Sequence, residues 1–423
     1  MFMIMSSLGG LFWTYIYPTI ASWLYRLIDR APHSSHVYRW KAARKKVDAT
    51  PPFIPNHQKH ILFFCPSLGE YESIVSVISS LKANEAPPYI EVSFFSVSGY
   101  TPLQGAIEHQ VDHISYSPLD TKKLTQEFFS QRQVDHVIIS TLAIWPTFLE
   151  HIWKKNISYS FIAVRVRQGL FKQTYYKSLS KYLKRADHIM TIDDSDQKIL
   201  EGVLKDINIS TLGDPRVDSI ISQLEQKRED EITMQFFEQQ SGSNSKIIFA
   251  STHAEDEAIL MPILESLIDK GCLIAIAPHH PERSEGLKNE LSSRGFSSTY
   301  HSSYDEGHQI LLVDKIGVLK HLYQYCDLAY VGGGFKDGLH NIAEPLFSNC
   351  HTIVGPKISN SYIAQKLETS NVLDIIRDSD ELRSVILNCK INNSITASVT
   401  TALTDHIGSS EQTKNMIFTS DKK

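Results

Sequence analysis

Short apolar runs, each followed by a longer stretch of helical spacing, recur along this chain and restrict it to an alternating α/β fold. The first set is HILFFCP, IEVSFFSV, VDHVIIS, YSFIAV and DHIMTID; the second is KIIFAS, CLIAIAP, QILLVD, LAYVGG and HTIVGP. Continuous apolar runs of this length read as strands buried on both faces, as parallel sheets require. Helix-like stretches such as residues 70–84 lie between them. Strands alternating with helices imply parallel sheets with right-handed crossovers. The pattern breaks near LGDPRVD and resumes after QLEQKREDEITMQFFEQQSGSNSK, whose Gly/Ser/Asn-rich end is a linker signal. Two α/β units of similar size are expected, joined near 220–243. In such sheets ligands bind beyond the carboxyl ends of the strands, so chemistry is sought directly after each apolar run.

The length of 423 residues suits two domains, or three at most. A formal net charge of -5 argues against a nucleic-acid binder. The five cysteines lie far apart without a CxxC pair, which favours a reducing compartment over a disulfide framework or zinc knuckle. The amino end differs from the rest. Met1 to Tyr25 carries no charged residue, and Arg26, Arg30, Arg39, Lys41, Arg44, Lys45 and Lys46 follow. A spanning helix needs about 20 apolar residues. This stretch suffices, weakened by Gly9, Gly10 and Pro18, and its Trp and Tyr residues suit a membrane interface. The basic flank is expected to stay cytoplasmic, and no positive region precedes the apolar run as in a cleaved signal. Spanning the bilayer and lying on it as an amphipathic helix both remain open.

Three strand-to-helix junctions share one pattern: a polar cap followed three residues later by an acid. They are Ser67-Leu68-Gly69-Glu70, Thr252-His253-Ala254-Glu255 and Asn341-Ile342-Ala343-Glu344. Each fits a capping box, and each fits a ligand site. Glu70 follows its strand directly, beside a glycine that admits a ligand, and a carboxylate there can accept a hydroxyl proton. Glu344 suits a ribose hydroxyl at a helix that binds a nucleotide phosphate. His279, His280 and Arg283 in APHHPERSE are candidates to meet an anion. Adjacent residues in extended chain point opposite ways, so a metal shared by His279 and His280 is not expected, and no other metal-ligand spacing appears. Gly317 falls at a further strand-to-helix turn. Arg216 in GDPRVD lies at the hinge between the units, and Arg165 and Arg167 end another strand on one face; each can serve an anionic substrate or a surface salt bridge.

In order along the chain, FFCPSLGEYES, STHAEDE, APHHPER, VDKIGVLKHLYQYCDLAYVGGGFKDGLHNIAEPL and VGP resemble the 3-deoxy-D-manno-octulosonic acid (Kdo) transferases of lipopolysaccharide synthesis, with DKIG and GDPRVD in the style of Bacteroidetes members. The resemblance implies a glycosyltransferase B fold: two Rossmann-like domains facing across a cleft, with an N-terminal membrane helix. The implied division is an anchor and basic linker over 1–46, an acceptor-side domain over 47–218, a linker over 219–243, a CMP-sugar-binding domain over 244–405 and a tail over 406–423. It implies CMP-Kdo as donor, lipid IVA as acceptor, the cytoplasmic face of the inner membrane as location, and neither cofactor nor metal nor nucleic acid. Glu70 takes the place of the family's general base. Arg216 takes the place of a lysine that stabilises the transition state. Pro278 and His279, then Gly317, Val318 and Leu319, then Asn341, Ile342, Ala343 and Glu344, take the places of the CMP-binding segments. Arg167 and Arg283 are added as anion-binding candidates, with Arg216 or Arg167 for the Kdo carboxylate. Three departures stand out: a family arginine is His279, an acid is Val318, and a glutamate is Ala143. Other nucleotide-sugar transferases or epimerases of the same fold, and a membrane-anchored pseudoenzyme, are the alternatives.

Overall fold

The computed structural model describes residues 17, 19–21, 23, 58–103, 110–166, 170–225, 229–238, 245–336, 338–389 and 394–419. The chain divides into two compact units, Met1–Ser219 with Asp405–Lys423, and Ile220–Thr404.

The first unit is built on β1 (His60–Cys65), β2 (Tyr89–Phe94), β3 (His113–Tyr116), β4 (His136–Ser140), β5 (Ser158–Val164), β6 (His188–Thr191) and β7 (Ile209–Thr211). They form one parallel sheet in the order β3-β2-β1-β4-β5-β6-β7. The order reverses between β1 and β4, which makes their carboxyl ends the switch point of the sheet. Successive side chains of β1 enter opposite cores: Leu62 and Phe64 on one face, Ile61, Phe63 and Cys65 on the other. Helices cover both faces, which is why the strand runs are apolar throughout.

The second unit repeats the plan with β8 (Lys246–Thr252), β9 (Leu273–Pro278), β10 (Ser298–Tyr300), β11 (Ile310–Leu312), β12 (Leu328–Val331), β13 (His351–Val354) and β14 (Leu373–Ile375). The sheet is parallel, in the order β10-β11-β9-β8-β12-β13-β14. Its switch point lies between β8 and β12. Ile247 and Phe249 face one core, Ile248 and Ala250 the other.

Three expectations are corrected. The helix expected over 70–84 is two helices, Leu68–Glu72 and Val75–Lys82. Ser73 Oγ donates to the Glu70 carbonyl at 2.7 Å at the break, a side-chain bond that competes with the helical ladder. The expected tail 406–423 is part of the first unit instead. Its helix Ser409–Thr419 packs on Val75–Lys82, and Ile417 is fully buried in the core that holds Phe63. Asp218 ties it down by accepting from Gly408 N at 2.7 Å and Ser410 N at 2.8 Å. The expected linker 219–243 carries structure of the second unit: Phe236 and Phe237 of helix Glu231–Glu238 are buried in its core. The division between units falls within the helix Pro215–Glu225.

The apolar stretch Met1–Tyr25 lies outside the described residues except for Tyr17, Thr19, Ile20, Ala21 and Trp23, and the basic run 39–46 lies wholly outside them. Among the described residues no helix is long and apolar enough to cross a membrane.

Candidate active site

In the first unit Glu70 stands one turn beyond the end of β1, at the switch point. Its backbone carbonyl is held from two sides, by Ser73 Oγ at 2.7 Å and by Ser140 Oγ, from the end of β4, at 3.0 Å. Ser67 Oγ donates to the Glu70 carboxylate, which makes the serine a partner of the acid rather than a cap of the helix backbone. Gly69 is exposed, and the space beside its Cα is open. The loop is braced from behind: a Cβ on Gly99 would meet the Leu68 nitrogen at 3.2 Å, and Ser96 N donates to the Pro66 carbonyl at 3.0 Å. Burial, and then the charge of Glu70, push the Cys65 thiol well up, so this cysteine stays a protonated core residue. The result is a partly buried carboxylate with one oxygen engaged by a hydroxyl, on a rigid turn beside an open glycine. That is a geometry suited to accepting a proton. Ala143, in the loop after β4, packs on the neighbouring core with Leu142 and Trp145.

In the second unit the glycine run after β12 is a tight, filled turn. A Cβ on Gly332 would meet the Ser251 carbonyl at 2.3 Å and Asp256 Oδ2 at 2.8 Å. Gly333 has φ +92°, and a Cβ there would meet the Gly338 carbonyl at 2.4 Å. Gly334 lies against Gly355 of the VGP segment, with backbone atoms 2.7–2.8 Å from where a Cβ would stand. Backbone packing therefore dictates these glycines. Asp256 organises the turn: its carboxylate accepts from His253 N at 2.9 Å, Gly333 N at 3.1 Å and Tyr330 Oη at 2.6 Å. The capping pair at this junction is thus His253 with Asp256, one residue later than the Thr252–Glu255 spacing suggested. Ser251, at φ +52°, and a register shift between Ala250 and Thr252 move the helix start along. Asn360 closes the loop, accepting from Leu339 N and donating to Leu339 O, both at 2.9 Å.

Three imidazoles gather over this switch point. His253 Nε2 and His340 Nε2 lie 3.0 Å apart, and the His279 ring stacks on His340 with centroids 4.2 Å apart. His280 is edge-on to His279 at 4.7 Å. Burial, then the neighbouring His279 and His253 rings, push His340 down to about 4. Burial, His253, His280 and Lys336 lower His279 as well, so at neutral pH both rings are uncharged. The position resembling a family arginine therefore presents a neutral imidazole. The grouping of His253 with His279 and His340 was not legible from spacing, because the topology, not the sequence, brings three strand ends together.

The other candidates are distributed as follows. Pro278 closes β9, and His279 N donates to the Thr252 carbonyl at 2.9 Å. Gly317, at φ +87° with open space beside it, precedes Val318 and Leu319 at the start of helix Leu319–Leu322. Asn341 Oδ1 accepts from Ala343 N at 3.0 Å, while Asn341 Nδ2 donates to Glu344 Oε1 at 3.2 Å, and Ile342 and Ala343 are buried. Glu344 also lines a shallow, open depression with Ile220, Gln223, Leu224, Lys320, His321 and Gln324. Arg283 gives its guanidinium to the buried Glu257 at 2.5 Å, whose other oxygen accepts from Thr252 Oγ1 at 3.1 Å. Arg216 is half exposed, with Nε 3.4 Å from Asp214 Oδ1. Arg167 lies outside the described residues.

Two doubly wound parallel sheets, each with polar groups gathered at its switch point, make an α/β fold of glycosyltransferase B type. A solved UDP-N-acetylglucosamine 2-epimerase shares this fold, with TM-score 0.61 at 11% identity over 86% of this chain and 97% of the other. Residues 39–219 match the family model of 3-deoxy-D-manno-octulosonic-acid transferase (kdotransferase). The 3-deoxy-D-manno-octulosonic acid transferase of Rickettsia felis is 25% identical over 78% of this chain and 71% of its own length. That of Chlamydia pneumoniae is 25% identical over 80% of this chain and 79% of its own. The chain is thus similar to the Kdo transferases over most of its length, and it is a glycosyltransferase.

Proposed function

We propose that this enzyme moves Kdo from CMP-Kdo to a lipid A precursor, lipid IVA, with inversion at the anomeric carbon. The observation that carries this reading is the Glu70 carboxylate at the first switch point, bonded by Ser67 and open on the Gly69 side. The acceptor hydroxyl gives its proton to Glu70 as its oxygen bonds to the anomeric carbon of Kdo. The bond from that carbon to the CMP phosphate oxygen breaks, and its electron pair leaves with CMP. Attack from the face opposite the leaving group inverts the centre.

The donor belongs to the second unit in this proposal. Glu344 and the depression it lines suit the ribose and base, and the turn at Gly317 leaves its backbone accessible. Charge growing on the leaving phosphate calls for preorganised donors. Pro278, His279 and the Asn341–Ala343 backbone are assigned to it. Arg216 is assigned to the transition state; its contact with Asp214 at 3.4 Å is looser than the 2.5 Å pair that holds Arg283 on Glu257. No cofactor enters these steps. The stretch 1–46 anchors the enzyme at the cytoplasmic face of the inner membrane, where its basic run is drawn to an anionic surface.

The test is incubation of the full chain with CMP-Kdo and lipid IVA, read by mass spectrometry of the lipid. A mass increase of one or more Kdo residues with release of CMP is expected; unaltered lipid overturns the assignment. The epimerase fold favours a second reading, a UDP-sugar enzyme. Thermal stabilisation by UDP-sugars and not by CMP or CMP-Kdo would select it.

A further inference from the structure

We infer that His253, His279 and His340 form a binding site for a late transition-metal ion, zinc being the best match. One nitrogen from each ring lies within 4.8 Å of the others, and the His253 and His340 Nε2 atoms are 3.0 Å apart. Zinc–nitrogen bonds of about 2.0–2.1 Å at tetrahedral angles place ligand nitrogens roughly 3.3 Å apart. The observed separations bracket that value; the rings are stacked as they stand, and side-chain rotations that unstack His279 and His253 from His340 would turn the three nitrogens onto one ion. Three histidines and an open fourth position are a donor set zinc accepts, and imidazole suits zinc, copper and nickel over calcium or magnesium.

The rings are held by rigid backbone. His253 follows β8, with its amide on Asp256 at 2.9 Å. His279 follows β9, with its amide on the Thr252 carbonyl at 2.9 Å. His340 closes the glycine turn after β12, with its amide on the Gly332 carbonyl at 3.2 Å. β9, β8 and β12 are adjacent in the sheet, so the three ligands come from three neighbouring strand ends. Preorganisation of this kind separates a metal site from a chance surface cluster. The Asp256 carboxylate, buried behind His253 and the glycine turn, supplies negative charge close to the site. His280 is not one of the three: its ring meets His279 edge-on. The arrangement depends on a histidine at position 279.

The experiment uses the full chain stripped with chelator and titrated with cobalt(II), then zinc. One equivalent of cobalt is expected to give visible absorption bands of a nitrogen-ligated ion, displaced by zinc, and zinc is expected to raise the melting temperature. His279→Arg, at an exposed position, is expected to keep the fold and weaken zinc binding by at least about tenfold, while His280→Ala binds as the parent does. Absence of a one-to-one cobalt spectrum overturns the inference. So does zinc affinity unchanged in His279→Arg, which would leave the His253–His340 contact as a hydrogen bond between two imidazoles. These readouts are independent of transfer, so the proposed function and the metal site fail separately.

Discussion

Glu70 gathers the chemistry of the first unit in one side chain, and its surroundings specify how it can be tested. Glu70→Gln keeps a partner for Ser67 and removes the base. It should lower turnover by about 10²–10⁴-fold while CMP affinity stays unchanged by calorimetry. Turnover within threefold of the parent would remove Glu70 from the mechanism. The position of this acid was legible in the sequence, because an apolar run, a glycine and an acid in succession mark a strand end. Its partners were not: Ser140 lies far along the chain and reaches Glu70 only because β4 lies beside β1. The same holds for Asp256, one of three acids in STHAEDE, which ties together the amide of His253, an amide of the glycine turn and the Tyr330 hydroxyl.

At the scale of elements, the strands visible in the sequence are those in the interior of each sheet. The four that escaped, β3, β7, β10 and β14, are the edges. They are three or four residues long and partly exposed, so they lack the continuous apolar run that burial on two faces produces. The glycine turn was visible as composition but not as packing. Gly334 and Gly355 lie on different loops and interlock backbone to backbone. Gly334→Ala should therefore cost about 1–3 kcal/mol in chemical denaturation, as overpacking does; an unchanged midpoint would show that the loops part easily. The edge strand β14 is secured differently. His351 on β13 bonds Asp374 on β14 at 2.6 Å. Burial works to lower the His351 pKa, but Asp374 and Cys389 outweigh it and raise it to about 9. A raised folded-state value means the tie is fully present below pH 6.5 and is lost as pH rises through 9. Asp374→Asn should lose on the order of 1 kcal/mol at pH 6, after screening of the half-exposed aspartate, and nothing at pH 10. Denaturant titrations at the two pH values check this, and equal losses at both would contradict it.

For the whole molecule, the first unit is completed by residues from beyond the second. Ile417 is fully buried against a sheet whose first strand begins at His60. Ile417→Ala should cost about 2–5 kcal/mol. Hydrogen exchange is expected to rise in Val75–Lys82 and to stay level in Ala254–Leu260; equal rises in both would show that the units do not melt separately. No local pattern announces such a return, since helix Ser409–Thr419 has an ordinary composition and only its neighbours reveal its place. This arrangement sets a timetable for synthesis. A ribosome makes all of Ile220–Thr404 before it reaches the segment that seals the Val75–Lys82 face. The half of the enzyme that is translated earlier is thus the half that matures later. Throughout that interval the nascent chain presents an uncovered apolar surface, the kind of surface that chaperones bind.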